Sequence, residues 1–161
     1  MTKAAVLPAP DITMAWPAKF ARQPDGSWLV TFRHFPFAAT EGEGEEEAFA
    51  EARDCLDEAV AGTIARREEL PAPDAAKRGE RMVALDAALA FKALLYRVMQ
   101  ACEVSKVDLA ARMGVDEKEV RRMLDPAHRG TKVARYEDAL PSCGFVVEVS
   151  ARPSRPIGVA A

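Results

Sequence analysis

The sequence predicts an α+β chain: a small β-meander with one long helix, followed by an all-α module built around a helix-turn-helix. Three observations predict it. Before Gly42, apolar residues recur with period two around a proline–glycine turn. From Ala48 to Ile64 they recur at three- and four-residue steps. Finally, Ser105–Leu124, SKVDLAARMGVDEKEVRRML, reads as two short helices about a tight glycine turn, the geometry that presents a second helix to the DNA major groove.

Taken in order, residues 1–12 are rich in alanine and proline and read as a loose lead-in. Met14–Arg22 alternates Met14, Trp16, Ala18, Phe20 and Arg22 as a strand, with Pro17 tolerable near its start or at an edge. Gln23-Pro24-Asp25-Gly26 is a turn, because proline fixes φ and glycine tolerates the backbone angles a tight reversal needs. Ser27–Phe32 closes the hairpin as a second strand. Arg33–Phe37, with His34 and Pro36, is expected as a loop and Ala38–Glu41 as a short third strand ended by Gly42.

Glu43–Glu69 is expected as a helix, with Ala48, Phe49, Ala52, Cys55, Leu56, Ala59, Val60 and Ile64 on one buried stripe. Glu45-Glu46-Glu47 falls in its first turn, where negative charge complements the helix dipole, and Arg66 and Arg67 fall near the other end. Adjacent residues on a helix point in different directions, so these glutamates read as dipole complements and not as a metal or acid/base site.

Leu70-Pro71-Ala72-Pro73-Asp74 breaks the helix and opens a linker over about residues 70–80. Arg81–Leu85 is expected as a fourth strand completing the sheet, after which Asp86 caps a helix from Ala87 to about Cys102. The chain thus divides into one unit over 13–85, a second over 86–151, and flexible tails at 1–12 and 152–161.

Within the helix pair, Ser105 and Asp116 each place a short side-chain oxygen just ahead of a helical run. Leu109, Ala110, Met113, Val115, Val120 and Met123 supply inward faces. Ala110 is small where the helices cross, and Gly114 can take the positive φ of the turn. Asp125-Pro126 ends the second helix, Ala134–Leu140 gives one more, and Phe145–Val149 alternates toward a strand. That last strand needs a hydrogen-bonding partner, and the same strand of a second copy would supply one and build a symmetric dimer.

Bulk properties bound the function classes. The chain has 161 residues, 49% hydrophobic and 29% charged, which excludes wholesale disorder. No apolar run approaches the ~20 residues of a membrane span, and a proline interrupts the short apolar stretch at the start, against a secretory signal. Cys55, Cys102 and Cys143 are odd in number and far apart, which fits a reducing cytoplasm and core packing better than disulfides or zinc. His34 and His128 lack a Cys or carboxylate at useful spacing, so no catalytic residue, metal or cofactor is expected. The net charge of -3 conceals an asymmetry: residues 1–80 carry 9 Lys/Arg against 15 Asp/Glu, and residues 81–161 carry 13 against 10. An acidic half joined to a basic one suggests a second, basic partner beside nucleic acid; the plain alternative is a surface made acidic for solubility.

AKFARQPDGSWLVTFRHFPFAATEGEGEEEAFAEARDCLDEAVAG, then a proline linker, then a helix-turn-helix, resembles HicB antitoxins of type II toxin–antitoxin systems over about residues 14–150. The elements that carry the resemblance are Pro24-Asp25-Gly26, Val30-Thr31-Phe32 with Pro36, Thr40-Glu41-Gly42 and the Glu-rich start of the long helix. KALLYRVMQACEVSKVDLAARMGVDEKEVRRMLDP looks like the DNA-binding half of that family's helix-turn-helix branch. The resemblance implies a partial ribonuclease-H-like N-terminal fold that covers a small HicA-type toxin, an mRNA-cleaving ribonuclease. It also implies a C-terminal half that dimerises, as a homodimer or higher even oligomer, and represses the operon by binding operator DNA. Family members carry Asp and Gly in the loop after the second strand, where this chain has His34 and Phe37.

By resemblance to phage-repressor modules, Glu117, Lys118, Arg121 and Arg122 face base edges, while Lys106, Arg129 and Lys132 suit phosphates. Trp28, His34, Phe35 and Phe37 are candidate toxin anchors, with Glu45, Glu46 and Asp54 as acidic complements; Phe37 reads equally as core. The competing class is a helix-turn-helix regulator whose N-terminal half senses a small ligand in place of a toxin. An active nuclease is disfavoured, since metal-dependent chemistry wants carboxylates on strands that here carry Arg, Trp, Phe and Val.

Overall fold

A computed structural model describes residues 13–150. Its elements are β1 (Ala15–Arg22), β2 (Trp28–Phe32), β3 (Phe35–Gly42), α1 (Glu45–Ala65), β4 (Glu80–Ala84), α2 (Ala87–Ala101), α3 (Lys106–Met113), α4 (Glu117–Leu124) and α5 (Val133–Ser142). The architecture is mixed α+β, an antiparallel four-stranded sheet of order β3-β2-β1-β4 with α1 on one face, followed by helices. The expected lead-in and tail at 1–12 and 152–161 lie outside the described residues.

The alternation expected in β1 holds only in part, since Ala15 and Pro17 on the other face are buried as well and Arg22 is exposed. Trp16 and Ala18 are fully buried against α1, with Met14 and Phe20 packed beside them. Pro17 is tolerated although β1 is an inner strand, because pairing with β2 begins only at Ala18 opposite Phe32. At Pro17 the only strand alongside is β4, where Met82 lies opposite, so β1 is locally an edge. The β1–β2 turn closes through Gly26 at φ 94° and a bond from the Ser27 amide to Asp25 Oδ1 at 2.9 Å.

One expected loop is a strand. Only Arg33 and His34 turn, and β3 resumes at Phe35, opposite Phe32, with a bulge between Thr31 and Phe32 absorbing the register shift. The reason is burial: Phe35 is 1% exposed and meets Trp16 edge to face at 5.6 Å. Pro36 costs no ladder bond because β3 is an edge strand and Pro36 falls in the irregular stretch between Phe35, opposite Phe32, and Ala39, opposite Thr31. Gly42 does more than end the strand. A Cβ there would lie 2.4 Å from the Ala48 amide nitrogen, so α1 can settle onto β3 only over a glycine. The helix itself is shorter than expected, ending at Ala65, with Arg66 as its cap and Arg67 at φ 59°.

Buried residues form two clusters. Trp16, Val30, Phe32, Phe35, Leu56 and Val60 centre the first, between sheet and α1. Leu95, Leu109, Val120, Met123, Tyr136 and Leu140 centre the second. Helix α2 serves both, giving Ala93 to the first and Leu95, Val98 and Met99 to the second. Helix α5 runs past its expected end to include Pro141. The strand expected at Phe145–Val149 does not form among the described residues, where nothing pairs with it; Phe145 and Val147 lean on the second cluster, while Val146 is 85% exposed and Val149 83%.

Candidate nucleic-acid and partner interfaces

Side chains chosen for local geometry position α3 and α4. Ser105 and Asp108 form a capping box: Ser105 Oγ accepts from the Asp108 amide at 3.1 Å, and Asp108 Oδ2 from the Ser105 amide at 3.2 Å. That pairing holds the Asp108 carboxyl below its ordinary range. Gly114, at φ 68° and ψ 33°, ends α3, with the Val115 amide donating to Ala110 O at 3.0 Å and the Gly114 amide to Ala111 O at 3.3 Å. Asp116 Oδ1 then accepts from the Lys118 amide at 2.7 Å and starts α4. Val120, Met123 and Leu124 face inward, which turns Lys118, Arg121 and Arg122 to solvent.

The acidic residues of α4 are engaged. Glu117 pairs with Arg121 one turn on at 2.8 Å, and Glu119 with Arg135 of α5 at 2.6 Å. Among the described residues, Lys106, Lys118, Arg122, Arg129 and Lys132 have no acidic partner, so the outward face of α4 and the loop after it carry uncompensated positive charge. Lys106, Glu117 and Arg121 line one open groove of about 690 Å³.

Lys92, which sequence reasoning passed over, anchors α4 from below. It is 3% exposed, and its Nζ donates to Met123 O at 3.1 Å and to the Tyr136 hydroxyl at 3.2 Å, while that hydroxyl donates to Met123 O at 2.9 Å. Burial pushes the Lys92 ammonium below its ordinary range, with Asp125 partly opposing. A lysine three residues from Leu89 and from Leu95, on the apolar stripe of α2, was the available signal.

The candidate partner anchors divide between the two ends of the β2–β3 hairpin. At one end Trp28 is half-buried opposite Gly42, next to the start of α1. There Glu45 pairs with Arg81, whose guanidinium also lies over the rings of Phe49 at 4.9 Å and Phe20 at 5.3 Å; Glu46 is exposed. At the other end Phe35 is core, whereas Phe37 is 65% exposed with the Arg66 guanidinium 5.7 Å from its ring centre. Trp28 and Phe32 are four residues apart, so these ends are separated by about 13 Å of strand. Asp54, exposed on α1, lines with Asp57, Asp86 and Arg129 a cleft of about 340 Å³ where the sheet's helix meets the loop after α4.

His34 has a carboxylate neighbour after all, one brought from far along the chain. Its Nε2 lies 3.2 Å from Asp74, inside a cluster in which Arg33 donates to Asp74 at 2.7 Å and to Glu80 at 2.9 Å. Burial, with Arg33 adding to it, lowers the imidazole pKa against the pull of Asp74. Asp74 is held below its ordinary range by Arg33, and Glu80 by the Lys77 amide and then Arg33. The cluster ties the linker to the β2–β3 turn. Among the described residues no group of three or more His, Cys, Asp or Glu is arranged to hold a metal ion, and no helix is long and apolar enough to cross a membrane.

A family model described as a HicB-like antitoxin of bacterial toxin–antitoxin systems matches residues 15–94. Antitoxin HicB 2 of Photorhabdus laumondii is 34% identical over 138 residues, covering 86% of this chain and 96% of that protein. The chain belongs to the HicB-like antitoxin family. Among its HicB relatives, Antitoxin HicB of Escherichia coli K12 is 28% identical over 131 residues, 81% of this chain and 94% of the relative. Antitoxin HicB of Pseudomonas fluorescens is 30% identical over 123 residues, 76% and 83%. A HicB alignment of 138 residues cannot fit within the sheet and α1, so the likeness continues into the helices.

Proposed function

We propose that the chain is an antitoxin that binds and neutralises a small HicA-type mRNA-cleaving toxin and represses its own operon by binding operator DNA. The observation that carries this reading is the similarity to Antitoxin HicB 2 along 96% of that protein. The N-terminal unit, residues 13–85, is the toxin-binding part and residues 86–151 the DNA-binding and dimerising part. A meander followed by a helix that brings β4 beside β1 supports reading the first unit as partial ribonuclease-H-like.

The roles rest on charge and exposure. On the toxin side Phe37 is an exposed ring at one end of the β2–β3 hairpin, with Phe35 beneath it at 6.2 Å between ring centres and His34 in the adjoining turn, while Trp28, Glu45 and Glu46 lie at the other end and Asp54 on α1. On the DNA side α4 acts as a recognition helix. Lys118 and Arg122 point outward one turn apart, Arg121 is aligned by Glu117, and Lys106, Arg129 and Lys132 meet phosphates. The exposed apolar side chains Val146 and Val149, in a segment that forms no strand of its own, support association of two copies as a homodimer or higher even oligomer.

Inhibition of this kind needs binding and no catalysis. The test is co-expression with the small reading frame expected beside this gene. Growth restored by the chain, together with co-purification of the two products, is the expected result. Toxicity unchanged by the chain and no co-purification would overturn the reading.

A further inference from the structure

We propose that Arg67, at the end of α1, is a DNA-phosphate contact, so that the first unit of the fold reaches the operator beside the helix pair. This rests on the DNA-binding reading above and adds a residue from outside that module. Arg67 lines the same open groove of about 690 Å³ as Lys106 at the start of α3 and Arg121 on α4. It is exposed, and neither an ion pair nor a side-chain hydrogen bond occupies it among the described residues, whereas its neighbour Arg66 is taken by Glu68 at 2.9 Å.

The backbone at Arg67 is also unusual. It holds φ 59° where the chain leaves α1, a left-handed conformation that L side chains rarely adopt. The Arg67 amide donates to Ile64 O at 3.0 Å and the Glu68 amide to Thr63 O at 3.1 Å, which fixes the sharp exit from α1. Tyr96 and Gln100 of α2 hold the next turn of chain, their side chains donating to Glu68 O at 2.7 and 3.2 Å. The arginine is therefore mounted on a braced turn, on the wall of a groove that opens beside the outward face of α4.

The occupant that fits is the sugar–phosphate backbone of a duplex seated on α4. The groove is continuous with α4, and two of its cations, Arg67 and Lys106, have no acidic partner among the described residues. Of the two carboxylates on this wall, Glu117 is neutralised by Arg121, while Glu103 opposes a phosphate and limits the net attraction of the groove. A phosphate contact carries no base information, so Arg67 should contribute affinity and salt dependence without altering sequence preference. It also places a DNA contact one residue from Arg66, the cation over the exposed Phe37 ring. A partner seated on Phe37 would thus touch the same turn that meets the operator.

The experiment measures binding of the full chain to a duplex carrying the sequence upstream of its own reading frame, and to a scrambled duplex, across a salt series. Arg67→Gly removes the cation while suiting the positive φ, so folding is preserved, as a thermal melt checks. Arg67→Lys retains the charge. Arg67→Gly is expected to weaken both duplexes alike, roughly fivefold near physiological salt, and to reduce the salt slope by about 0.9, with Arg67→Lys recovering most of the loss. Wild-type binding with Arg67→Gly unchanged in affinity and slope would overturn the proposal alone. A loss confined to the upstream duplex would also overturn it, since that marks base reading. If the wild type ignores both duplexes, the DNA-binding reading itself falls, and Arg67 with it.

Discussion

Arg122 and Lys92 occupy neighbouring space on opposite sides of α4 and differ in how readable they were. Arg122 stands on the outward face of a helix whose cap, turn and inward residues all lie within twenty positions of it, so local pattern was enough to place it. Lys92 acts through carbonyls and a hydroxyl on α4 and α5, and nothing near it in sequence names those partners. The same holds for His34, whose Asp74 neighbour lies across the linker. Phe35 and Phe37 show the limit from the other side: two aromatics flanking one proline, one core and one exposed, distinguished only by a bulge that no composition rule foretells. Arg122→Ala is expected to weaken operator binding by roughly 1–3 kcal/mol with selective loss at one base pair. A mobility-shift series over single-base operator variants checks it, and unchanged affinity would remove Arg122 from the base-reading set.

At the level of elements, the strands, α1 and the paired short helices were legible because each has its own periodicity and stop signals. Their ends were less so. β3 begins earlier and α1 ends sooner than pattern alone gives, because the packing of Phe35 on Trp16 and the exit turn at Arg67 are tertiary facts. Gly42 makes a specific test of the α1–β3 junction. Gly42→Ala forces a methyl into the Ala48 backbone, and its expected cost is about 1–3 kcal/mol of stability, read by denaturant titration, with the effect reaching the start of α1. The Arg33 cluster makes a test of the linker. Asp74 and Glu80 have folded pKa values below their ordinary 3.8 and 4.5, so their stabilisation is complete above those values and is lost as pH falls through the lowered ones. His34, lowered from 6.5, adds a slope of the same sign at higher pH, since the unfolded chain binds that proton first. Arg33→Met is expected to lower the melting temperature at neutral pH and to flatten the fall below about pH 4.5, the glutamate value, in melts recorded across pH.

Across the whole molecule, a first half with six more acidic than basic residues is joined to a second with three more basic than acidic. The two meet at α2, which packs into both cores, and at the turn after α1. Charge balance and element order were visible in the sequence. The hydrogen bonds through which the halves meet, from Tyr96 and Gln100 to Glu68 O and from Arg97 to Leu70 O, were not, because they join residues from separate elements. The dimer proposed above would rest on 145–149. Val146→Asp is expected to shift the chain from dimer to monomer in light scattering at micromolar concentration while leaving its circular dichroism unchanged. A wild-type monomer under the same conditions would count against strand pairing between copies.

The most direct measurement is a mobility shift of the duplex upstream of this gene, first with the purified chain and then with the product of the adjacent small reading frame added. The account predicts a retarded band with the chain alone and a further change, slower migration or release, once the second protein is present. A duplex that runs free with the chain, and stays free when the second protein is added, would contradict it.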